Sequence, residues 1–303
     1  MDILILGKNG QLGHALVDAL TPLGHVIALG RHDVDLKQVG DLIRTLDTLA
    51  PNIIINAAAY TQVDKAESEI ESSHHINARV PKVLADYASQ SGSLLIHYSS
   101  DYVFDGSQSV PYRETDKPNP LNRYGQSKLA GDLGILDTRC QALIFRVSWL
   151  FSFHGNNFIK TMLRLAHTHD HLRVVDDQHG APTSAALVAE ITKLAIIAWR
   201  KRTLETGLYH LTAMGAVSWH GLADYVIRRA RMNHGQLKLL PENIEPIATQ
   251  DYPLPAKRPA NSRLNTDKLR SALGITFPDW KHHVDLVVDQ LLLSRKKFFG
   301  GVA

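Results

Sequence analysis

Short apolar runs alternate with amphipathic segments through the first half of the chain, and this alternation constrains the fold more than any other feature. Each run is continuous, as in strands buried on both faces of a parallel sheet, and the segments between them have helical spacing. Alternating units of this kind predict parallel strands joined by right-handed crossovers. The predicted strands are 3–6, 25–29, 53–55, 94–98 and 143–147, and the predicted helices are 12–20, 39–49, 69–89 and one that contains Tyr124.

The chain changes character after Ser99, at the end of the fourth predicted strand. A stretch rich in Gly, Pro, Asp and Asn, residues 104–122, predicts a long surface excursion before the Tyr124 helix. The irregular second half predicts a cap built from non-contiguous segments. Its predicted helices are 157–167, 183–199, 218–231, 266–273 and 278–293, and its predicted strands are 172–175, 207–211 and 237–240.

A glycine-rich loop follows the first predicted strand and opens the first helix. It reads Gly7-Lys8-Asn9-Gly10-Gln11-Leu12-Gly13, one residue longer than the usual dinucleotide fingerprint. Gly7 permits a tight turn, Gly10 permits close approach of a pyrophosphate, and the helix N-terminus favours negative charge. A simple tight turn is the alternative interpretation, and the strand–loop–helix context favours the nucleotide site.

These patterns together predict an α/β fold, a Rossmann-type doubly wound parallel sheet with a smaller, mainly C-terminal substrate-binding lobe. Residues 1–150 are predicted to form the dinucleotide-binding domain, to which a later segment, about 184–215, returns. Residues 151–303 are predicted to form most of the non-contiguous lobe.

Charge and cysteine content exclude several classes of protein. The 33 basic and 30 acidic residues are interspersed, with a net charge of +3, so no nucleic-acid partner is predicted. The longest apolar stretches are too short to cross a bilayer, and no secretion signal is visible, so no membrane partner is predicted. Cys140 is the only cysteine, which suits a reducing compartment. A cytoplasmic location is therefore expected.

The second predicted strand ends in Gly30-Arg31-His32-Asp33, which bears on the cofactor type. An acidic residue here would hold a ribose 2′-hydroxyl, whereas Arg31 would hold a 2′-phosphate and so favours NADPH, with NADH possible. The next residues are placed to contact the adenine edge, and a small-residue turn would face the adenosine. The predicted cofactor contacts are Gly7, Gly10, Gln11, Leu12, Arg31, Asp35, Leu36, Ala57, Ala59, Tyr60, Thr61, Tyr98, Tyr124 and Lys128.

Three residues near the ends of predicted elements form a candidate catalytic group. Tyr124 and Lys128 are one helical turn apart on one face, and Ser100 follows the fourth predicted strand. A nearby ammonium favours a phenolate, so Lys128 is expected to lower the pKa of Tyr124. The arrangement predicts that Ser100 orients a carbonyl, Tyr124 donates a proton and Lys128 also holds the nicotinamide ribose.

With these residues in hand, the chain resembles the extended short-chain dehydrogenase/reductase superfamily, and within it the dTDP-4-dehydrorhamnose reductase family. The resemblance covers nearly the whole chain. Segments around Asn56, Tyr98 and Tyr124 mark the superfamily, and two later segments mark the family. These two are Asp177-Gln178-x-Gly180-Ala181-Pro182-Thr183 and Arg258-Pro259-x-Asn261-Ser262-Arg263-Leu264.

The resemblance implies NAD(P)H-dependent reduction of the 4-keto group of dTDP-4-dehydro-β-L-rhamnose. The family's catalytic threonine falls on Ser100, which keeps the hydroxyl. Arg258 and Arg263 are expected to pair with the nucleotide diphosphate, because arginine suits phosphate. Trp149 is expected to pack on the sugar or base, with an ordinary core tryptophan as the alternative. The implied substrate contacts are Ser100, Asp101, Trp149, Asn157, Arg258 and Arg263.

The chain departs from some relatives at a magnesium-linked dimer site. Those relatives carry glutamates where this chain has His14 and the segment that begins at Ala185, so the resemblance supports no magnesium or other metal. A monomer or a homodimer is expected.

Two rival functions stay open at this point. One is an epimerase or 4,6-dehydratase acting on another nucleotide sugar, although Tyr102 occupies the place of the dehydratase glutamate. The other is a regulatory subunit, similar to the methionine adenosyltransferase partner. The intact group of Ser100, Tyr124 and Lys128 argues against that second rival.

Overall fold

The computed structural model of the chain describes residues 1–233 and 236–299. The strands Asp2–Leu6, Ile53–Asn56, Leu94–Ser100 and Ala142–Val147 are almost fully buried, as largely apolar strands of a parallel sheet require. In chain order the strands are β1 (Asp2–Leu6), β2 (His25–Leu29), β3 (Ile53–Asn56), β4 (Leu94–Ser100), β5 (Ala142–Val147), β6 (Leu150–Phe151), β7 (Leu172–Val175), β8 (His179–Gly180), β9 (Thr183–Ser184), β10 (Gly207–His210), β11 (Val217–Ser218) and β12 (Ile244–Ile247).

The helices follow the strands in alternation through the first half of the chain. In chain order they are α1 (Gln11–Leu20), α2 (Val39–Leu49), α3 (Ile70–His74), α4 (Val80–Ser91), α5 (Arg123–Thr138), α6 (Phe158–Thr168), α7 (Ala185–Arg200), α8 (Trp219–Met232), α9 (Asp267–Leu273) and α10 (Trp280–Phe299).

Six strands form one parallel sheet in the order β10-β5-β4-β3-β1-β2. From β1 the chain moves to one side of the strand to form β2. It then crosses to the other side of β1 to form β3, which creates a switch point between β1 and β3. Ligands bind beyond the carboxyl ends of strands at such a point. The predicted α/β fold with a doubly wound parallel sheet is therefore confirmed.

Two hydrophobic layers cover the sheet. Helices α1 and α7 pack on one face, in a core that continues through α6, α8 and α10. Helices α2, α4 and α5 pack on the other face. Because β10 pairs with β5 and α7 packs on α1, parts of the segment 184–215 belong to the sheet layer. The division into two domains stays a prediction, and residues 234, 235 and 300–303 of the predicted lobe lie outside the described residues.

The second half of the chain contains three small two-stranded pairings. Strand β12 pairs with β7, β11 with β8, and β9 with β6. The strand expected at residues 237–240 is irregular, and the neighbouring segment Ile244–Ile247 forms β12 instead. The segment Ile244–Ile247 pairs in parallel with β7 along its whole length, from Ile244 beside Leu172 to Ile247 beside Val175.

The long helix expected over residues 69–89 is divided. Helix α3 leads into a π-helical turn, His75–Arg79, and then into α4. The turn places Asn77 against α5, where its side chain donates to Ser127 Oγ at 3.0 Å. The expected helix was a continuous α-helix, whereas a π-helical turn contains one extra residue and interrupts that regular spacing.

A search of the described residues finds no helix long and apolar enough to cross a membrane.

Helix α5 approaches the π-helical turn at a glycine. A Cβ atom on Gly131 would lie 2.2 Å from the backbone oxygen of Asn77, which is a severe clash between two backbones. One turn along the same helix, a Cβ atom on Gly134 would meet only the Lys82 side chain, at 3.4 Å or more. Gly131 therefore fixes how closely α5 packs on its neighbour.

We expect Gly131→Ala to lower stability by about 1–3 kcal/mol, because overpacking must push α5 away from the turn. Gly134→Ala is the matched control and should be neutral or stabilising by up to about 1 kcal/mol, since alanine favours helix. Thermal unfolding midpoints of the three proteins measure this difference. Equal midpoints for the two variants would show that the close approach of α5 to the π-helical turn does not contribute to stability.

Candidate active site

The loop between β1 and α1 has the geometry of a diphosphate cradle. Gly7 has a φ of +92°, and a Cβ atom there would lie 2.8 Å from the backbone nitrogen of Ala58, so only glycine fits. Gly10 caps α1 without any side-chain cap, which leaves the first N–H groups of the helix available to an anion. The loop fits the diphosphate of a dinucleotide. The Leu12 side chain is buried in the core, so only its backbone could contact a cofactor.

Two residues after β2, Arg31 and Asp33, could each contact the adenosine ribose of a bound dinucleotide. The Asp33 carboxylate lies 2.6 Å from Lys8 Nζ and accepts a hydrogen bond from the Gly30 N–H. These hydrogen bonds lower the pKa of Asp33. Arg31 is exposed beside it. The acidic side chain is thus engaged by the protein, and the basic one faces solvent. Asp35 is also exposed, and the Leu36 carbonyl oxygen lies 3.1 Å from His75 Nε2.

The loop after β3 is held by hydrogen bonds to its backbone. The Tyr60 N–H donates to Asn77 Oδ1 at 2.9 Å, and Asn77 Nδ2 donates to the Tyr60 carbonyl at 3.0 Å. Ala57 continues the strand through a hydrogen bond from its N–H to the Leu6 carbonyl. Ala59 and Thr61 are exposed on this loop. The π-helical turn therefore fixes the segment that was predicted to face adenosine.

Ser100 and Tyr124 meet at the carboxyl end of β4. Ser100 is the last residue of the strand, and Tyr124 lies in the first turn of α5, which Asn122 caps through a bond from Gly125 N–H. Burial raises the pKa of Tyr124 to about 12, and a side-chain hydrogen bond with Ser100 acts in the opposite direction. The ring of Tyr102 contacts Tyr124 edge-on, with centroids 6.0 Å apart.

The expectation that Lys128 lowers the pKa of Tyr124 is wrong for this structure. The ammonium of Lys128 is buried and donates to the Tyr98 carbonyl at 2.6 Å, and no hydrogen bond joins it to Tyr124. Desolvation dominates both groups, so it raises the pKa of Tyr124 and lowers the pKa of Lys128 to about 8. The Tyr98 side chain points to the opposite face of β4 and bonds Thr192, so only its backbone reaches the site.

Asp101 lies directly behind Ser100 and is almost fully buried. It accepts hydrogen bonds from Ser100 Oγ at 3.0 Å and Ser148 Oγ at 2.9 Å. Burial raises its pKa to about 6 in spite of these bonds and one from Ser262. The carboxyl group holds the three hydroxyl groups in place from inside the protein.

The two arginines predicted to bind diphosphate are paired within the protein. Arg258 donates to both carboxylate oxygens of Asp64, at 3.0 and 2.7 Å, an arrangement that lowers the pKa of Asp64. Arg263 donates to Asn261 Oδ1 at 2.8 Å and to the Ser109 carbonyl. The fold therefore brings hydrogen-bond acceptors to both arginines. Their contact with a diphosphate stays a prediction.

The two other predicted substrate residues also have protein partners. Trp149, with a φ of +45°, stacks on Trp219 with ring centroids 3.5 Å apart and planes within 5°. Asn157 caps α6 and donates to Gln11 Oε1 at 2.9 Å and the Ser152 carbonyl at 2.7 Å. Asn157 therefore ties the diphosphate loop to the second half of the chain. The contacts of Trp149 and Asn157 with substrate stay predictions.

Several polar residues at the site were missed by the sequence analysis. Asp132 lies one turn beyond Lys128 on α5 and pairs with Arg146, and both are buried. His97 lies on β4 beside Lys128. A helical i,i+4 carboxylate and a histidine within an apolar strand were the available signals.

No three His, Cys, Asp or Glu side chains in residues 1–233 and 236–299 form a group that could hold a metal ion. His14, at which no metal was expected, stacks on His154 with ring centroids 4.5 Å apart.

The chain matches a known family over almost its whole length. The family model described as RmlD substrate binding domain matches residues 1–293. A dTDP-4-dehydrorhamnose reductase from Burkholderia thailandensis is 44% identical over 296 residues, which are 96% of this chain and 99% of that protein. The enzyme of the same name from Escherichia coli K12 is 43% identical over 298 residues, 97% of this chain and 99% of that protein.

Solved structures agree with these relatives. The dTDP-4-dehydrorhamnose reductase of Clostridium acetobutylicum superposes with a TM-score of 0.87 at 34% identity, over 96% of this chain and 100% of that one. The enzyme of Bacillus anthracis, solved in complex with NADP, superposes with a TM-score of 0.86 at 32% identity, over 95% and 99% of the two chains.

Lys128 should make the stability of the folded chain rise at alkaline pH. Burial lowers its pKa from 10.5 to about 8, so between these values the unfolded chain holds a proton that the folded chain has released. The wild type should therefore gain stability relative to Lys128→Met as the pH rises from 8 to 10, by up to about 1.4 kcal/mol per pH unit. Thermal unfolding of both proteins at several pH values measures the gain.

The control for this measurement is Lys82→Met, which removes a lysine that is 45% exposed on α4. Its stability relative to wild type should show no comparable trend. A constant difference between wild type and Lys128→Met from pH 8 to 10 would contradict the lowered pKa.

Proposed function

The chain belongs to the dTDP-4-dehydrorhamnose reductase family, and from this premise we propose that it reduces the 4-keto group of dTDP-4-dehydro-β-L-rhamnose to give dTDP-L-rhamnose. One observation in the structure carries the proposal. Ser100, Tyr124 and Lys128 come together at the carboxyl end of β4, on the same edge of the sheet as the diphosphate cradle. A hydroxyl, a phenol and an ammonium in this place are what reduction of a ketone requires.

Each residue of the candidate site has a separate role in the proposed reaction. Reduced nicotinamide supplies the hydride when it is bound. Before substrate binds, Ser100 donates its single hydroxyl hydrogen to Asp101, and when the sugar binds it donates this hydrogen to the carbonyl instead and so holds the carbonyl beside Tyr124. The raised pKa of Tyr124 keeps the phenol protonated at neutral pH, which is the state needed to protonate the oxygen. Lys128 holds a positive charge next to the ribose and the phenol, and Asp101 holds Ser100 from behind.

The substrate is proposed to lie between the end of β4 and the later part of the chain. Trp149 and its partner Trp219 offer an aromatic face for the sugar or the base. Arg258 and Arg263 lie in a segment, residues 256–264, that we call the strap. Arg258 is only 16% exposed and has the fork of donors that suits a diphosphate, with Asp64 as its partner when none is bound. Asn157 donates a hydrogen bond to Gln11, at the start of α1, and so supports the protein loop that is proposed to hold the cofactor diphosphate.

NADPH is the proposed cofactor. Asp33 already pairs with Lys8 and Gly30 through Oδ2, and exposed Arg31 beside it can pair with a 2′-phosphate. The Bacillus anthracis relative was solved with NADP. A cytoplasmic location and a monomeric or homodimeric state complete the proposal, and the single cysteine is compatible with that location.

The rival functions have less support. Dehydration needs an acid where this chain has Tyr102, whose pKa is raised by burial. The non-catalytic alternative would not require the buried charge of Lys128 behind Tyr124, a costly feature for a surface that only binds a partner.

Tyr124→Phe tests the acid role. Loss of the phenol should lower kcat about 10²- to 10⁴-fold, because proton donation to the alkoxide is lost. The Kd for NADPH should change little, since the ring remains. Turnover is followed by NADPH oxidation with the 4-keto sugar nucleotide, and binding by quenching of protein fluorescence.

Tyr87→Phe is the control for this experiment, because its hydroxyl bonds the Leu46 carbonyl at a distance from the site. It should keep wild-type turnover. A Tyr124→Phe variant with wild-type kcat would remove the phenol from the mechanism, and inactivity of the wild type towards this sugar nucleotide would remove the substrate.

Arg31→Ala tests the cofactor. The variant should raise the KM for NADPH about tenfold and leave the KM for NADH within twofold, because only NADPH carries the 2′-phosphate. Initial rates with each cofactor measure the shift. Arg44→Ala, which removes an exposed arginine paired with Asp41 on α2, should change neither constant. An equal effect on both cofactors would count against the 2′-phosphate contact.

A further inference from the structure

A row of polar side chains is buried behind Tyr124. Asn56, His97, Lys128, Asp132 and Arg146 are each at most 2% exposed, and they run from the end of β3 across β4 to α5 and β5. Burying charged and polar groups is unfavourable unless each finds partners. The hydrogen bonds available to this row therefore restrict the protonation state of each member.

The ammonium of Lys128 can donate three hydrogen bonds and can accept none. One donates to the Tyr98 carbonyl at 2.6 Å, and the nitrogen lies 3.4 Å from His97 Nε2. A favourable contact with His97 requires a lone pair on Nε2. One donor of Lys128 then remains for the cofactor side of the site.

His97 can supply that lone pair in only one of its tautomers. Burial and the charge of Lys128 lower the pKa of His97 well below its ordinary value, so the ring is neutral and one nitrogen carries a hydrogen. If Nε2 carried it, two donors would face each other across 3.4 Å. With Lys128 charged, the hydrogen therefore belongs on Nδ1.

Asn56 lies on the other side of the ring. Its amide nitrogen is 3.1 Å from His97 Nδ1, and its oxygen has no hydrogen-bond partner among the described residues. The two ends of an amide are assigned from their hydrogen bonds. Turning this amide by 180° lets the oxygen accept from Nδ1–H, and moves the amino group to the former place of the oxygen.

The remaining charges near Lys128 do not replace this contact. Asp132 favours the charged lysine, but Arg146 shares that carboxylate through Nε at 3.0 Å. His97 is thus the side chain that Lys128 contacts directly, and Asp132 acts on it only through its field.

We propose that His97 is a positioning residue for Lys128, as a neutral imidazole with its hydrogen on Nδ1, bonded to Asn56 Oδ1, and with Nε2 accepting from the ammonium. It keeps Lys128 charged and aimed at the cofactor side. This role in turnover rests on the proposed function, whereas the tautomer does not.

Nitrogen NMR of protein labelled with [¹⁵N]histidine tests the tautomer directly. The His97 signals are those lost in His97→Gln. We expect a neutral ring with hydrogen on Nδ1 from pH 6 to 8. Hydrogen on Nε2, or a charged ring in this range, would overturn the proposal whether or not the protein reduces the sugar nucleotide.

Two substitutions test the role in turnover. In His97→Gln the side-chain oxygen can take the place of Nε2 as an acceptor, whereas His97→Leu has no acceptor. A hydrogen bond to the charged form raises a lysine pKa. The alkaline limb of the kcat profile should therefore move down by about one pH unit in His97→Leu and stay within 0.3 unit of wild type in His97→Gln.

Thr192→Val controls for disturbance of β4, because it removes a buried hydroxyl that contacts the strand from its other face. Its profile should match the wild type. Unshifted alkaline limbs in both His97 variants, or equal shifts in both, would show that His97 only fills space. If His97→Leu does not fold, the wild-type tautomer and the His97→Gln profile still decide the matter.

Discussion

The candidate site depends on a positively charged lysine held inside the protein. Water around the Lys128 ammonium is replaced by the Tyr98 carbonyl, the His97 ring and the field of Asp132. Arg146 in turn pairs with Asp132, with Nε 3.0 Å from Oδ2. An unpaired charge at this depth would be severely destabilising, so these contacts must form for β4 and α5 to pack at all. The group that is proposed to serve the reaction is therefore also a constraint on the fold.

The sheet was predictable from the sequence because strands buried on both faces must be apolar throughout. The bounds of β2 agree with the prediction, and those of β4 and β5 differ by at most two residues. The π-helical turn was not predictable, since it adds a residue to one turn of the helix and its packing partner, α5, is distant in sequence. Its cause lies in α5, where Gly131 allows the backbone of Asn77 to approach. Nothing in the local sequence around Asn77 records that neighbour.

At the site, too, contacts between residues close in sequence were predictable, and contacts between residues far apart in sequence were not. Tyr124 and Lys128 lie one helical turn apart, and their common face follows from spacing alone. Arg258 and Asp64 are separated by 194 residues, so the pairing that occupies the guanidinium has no local signal. The sequence equally suggested that Lys128 would act on the Tyr124 hydroxyl. The direction of the pKa shift was wrong because it depends on burial, and burial is decided by the packing of whole elements.

The strap, residues 256–264, is hydrogen-bonded to the start of α5. Asn122 caps that helix with its oxygen and donates from its nitrogen to the Lys257 carbonyl at 2.7 Å, so one amide belongs to both regions. Asp64 makes a similar connection through Ala256 and Arg258. A chimera that joined the first 150 residues of one relative to the remainder of another would have to match these bonds across the junction. Recombination within the family is thus restricted at positions far from any breakpoint, and the two halves must change together during evolution.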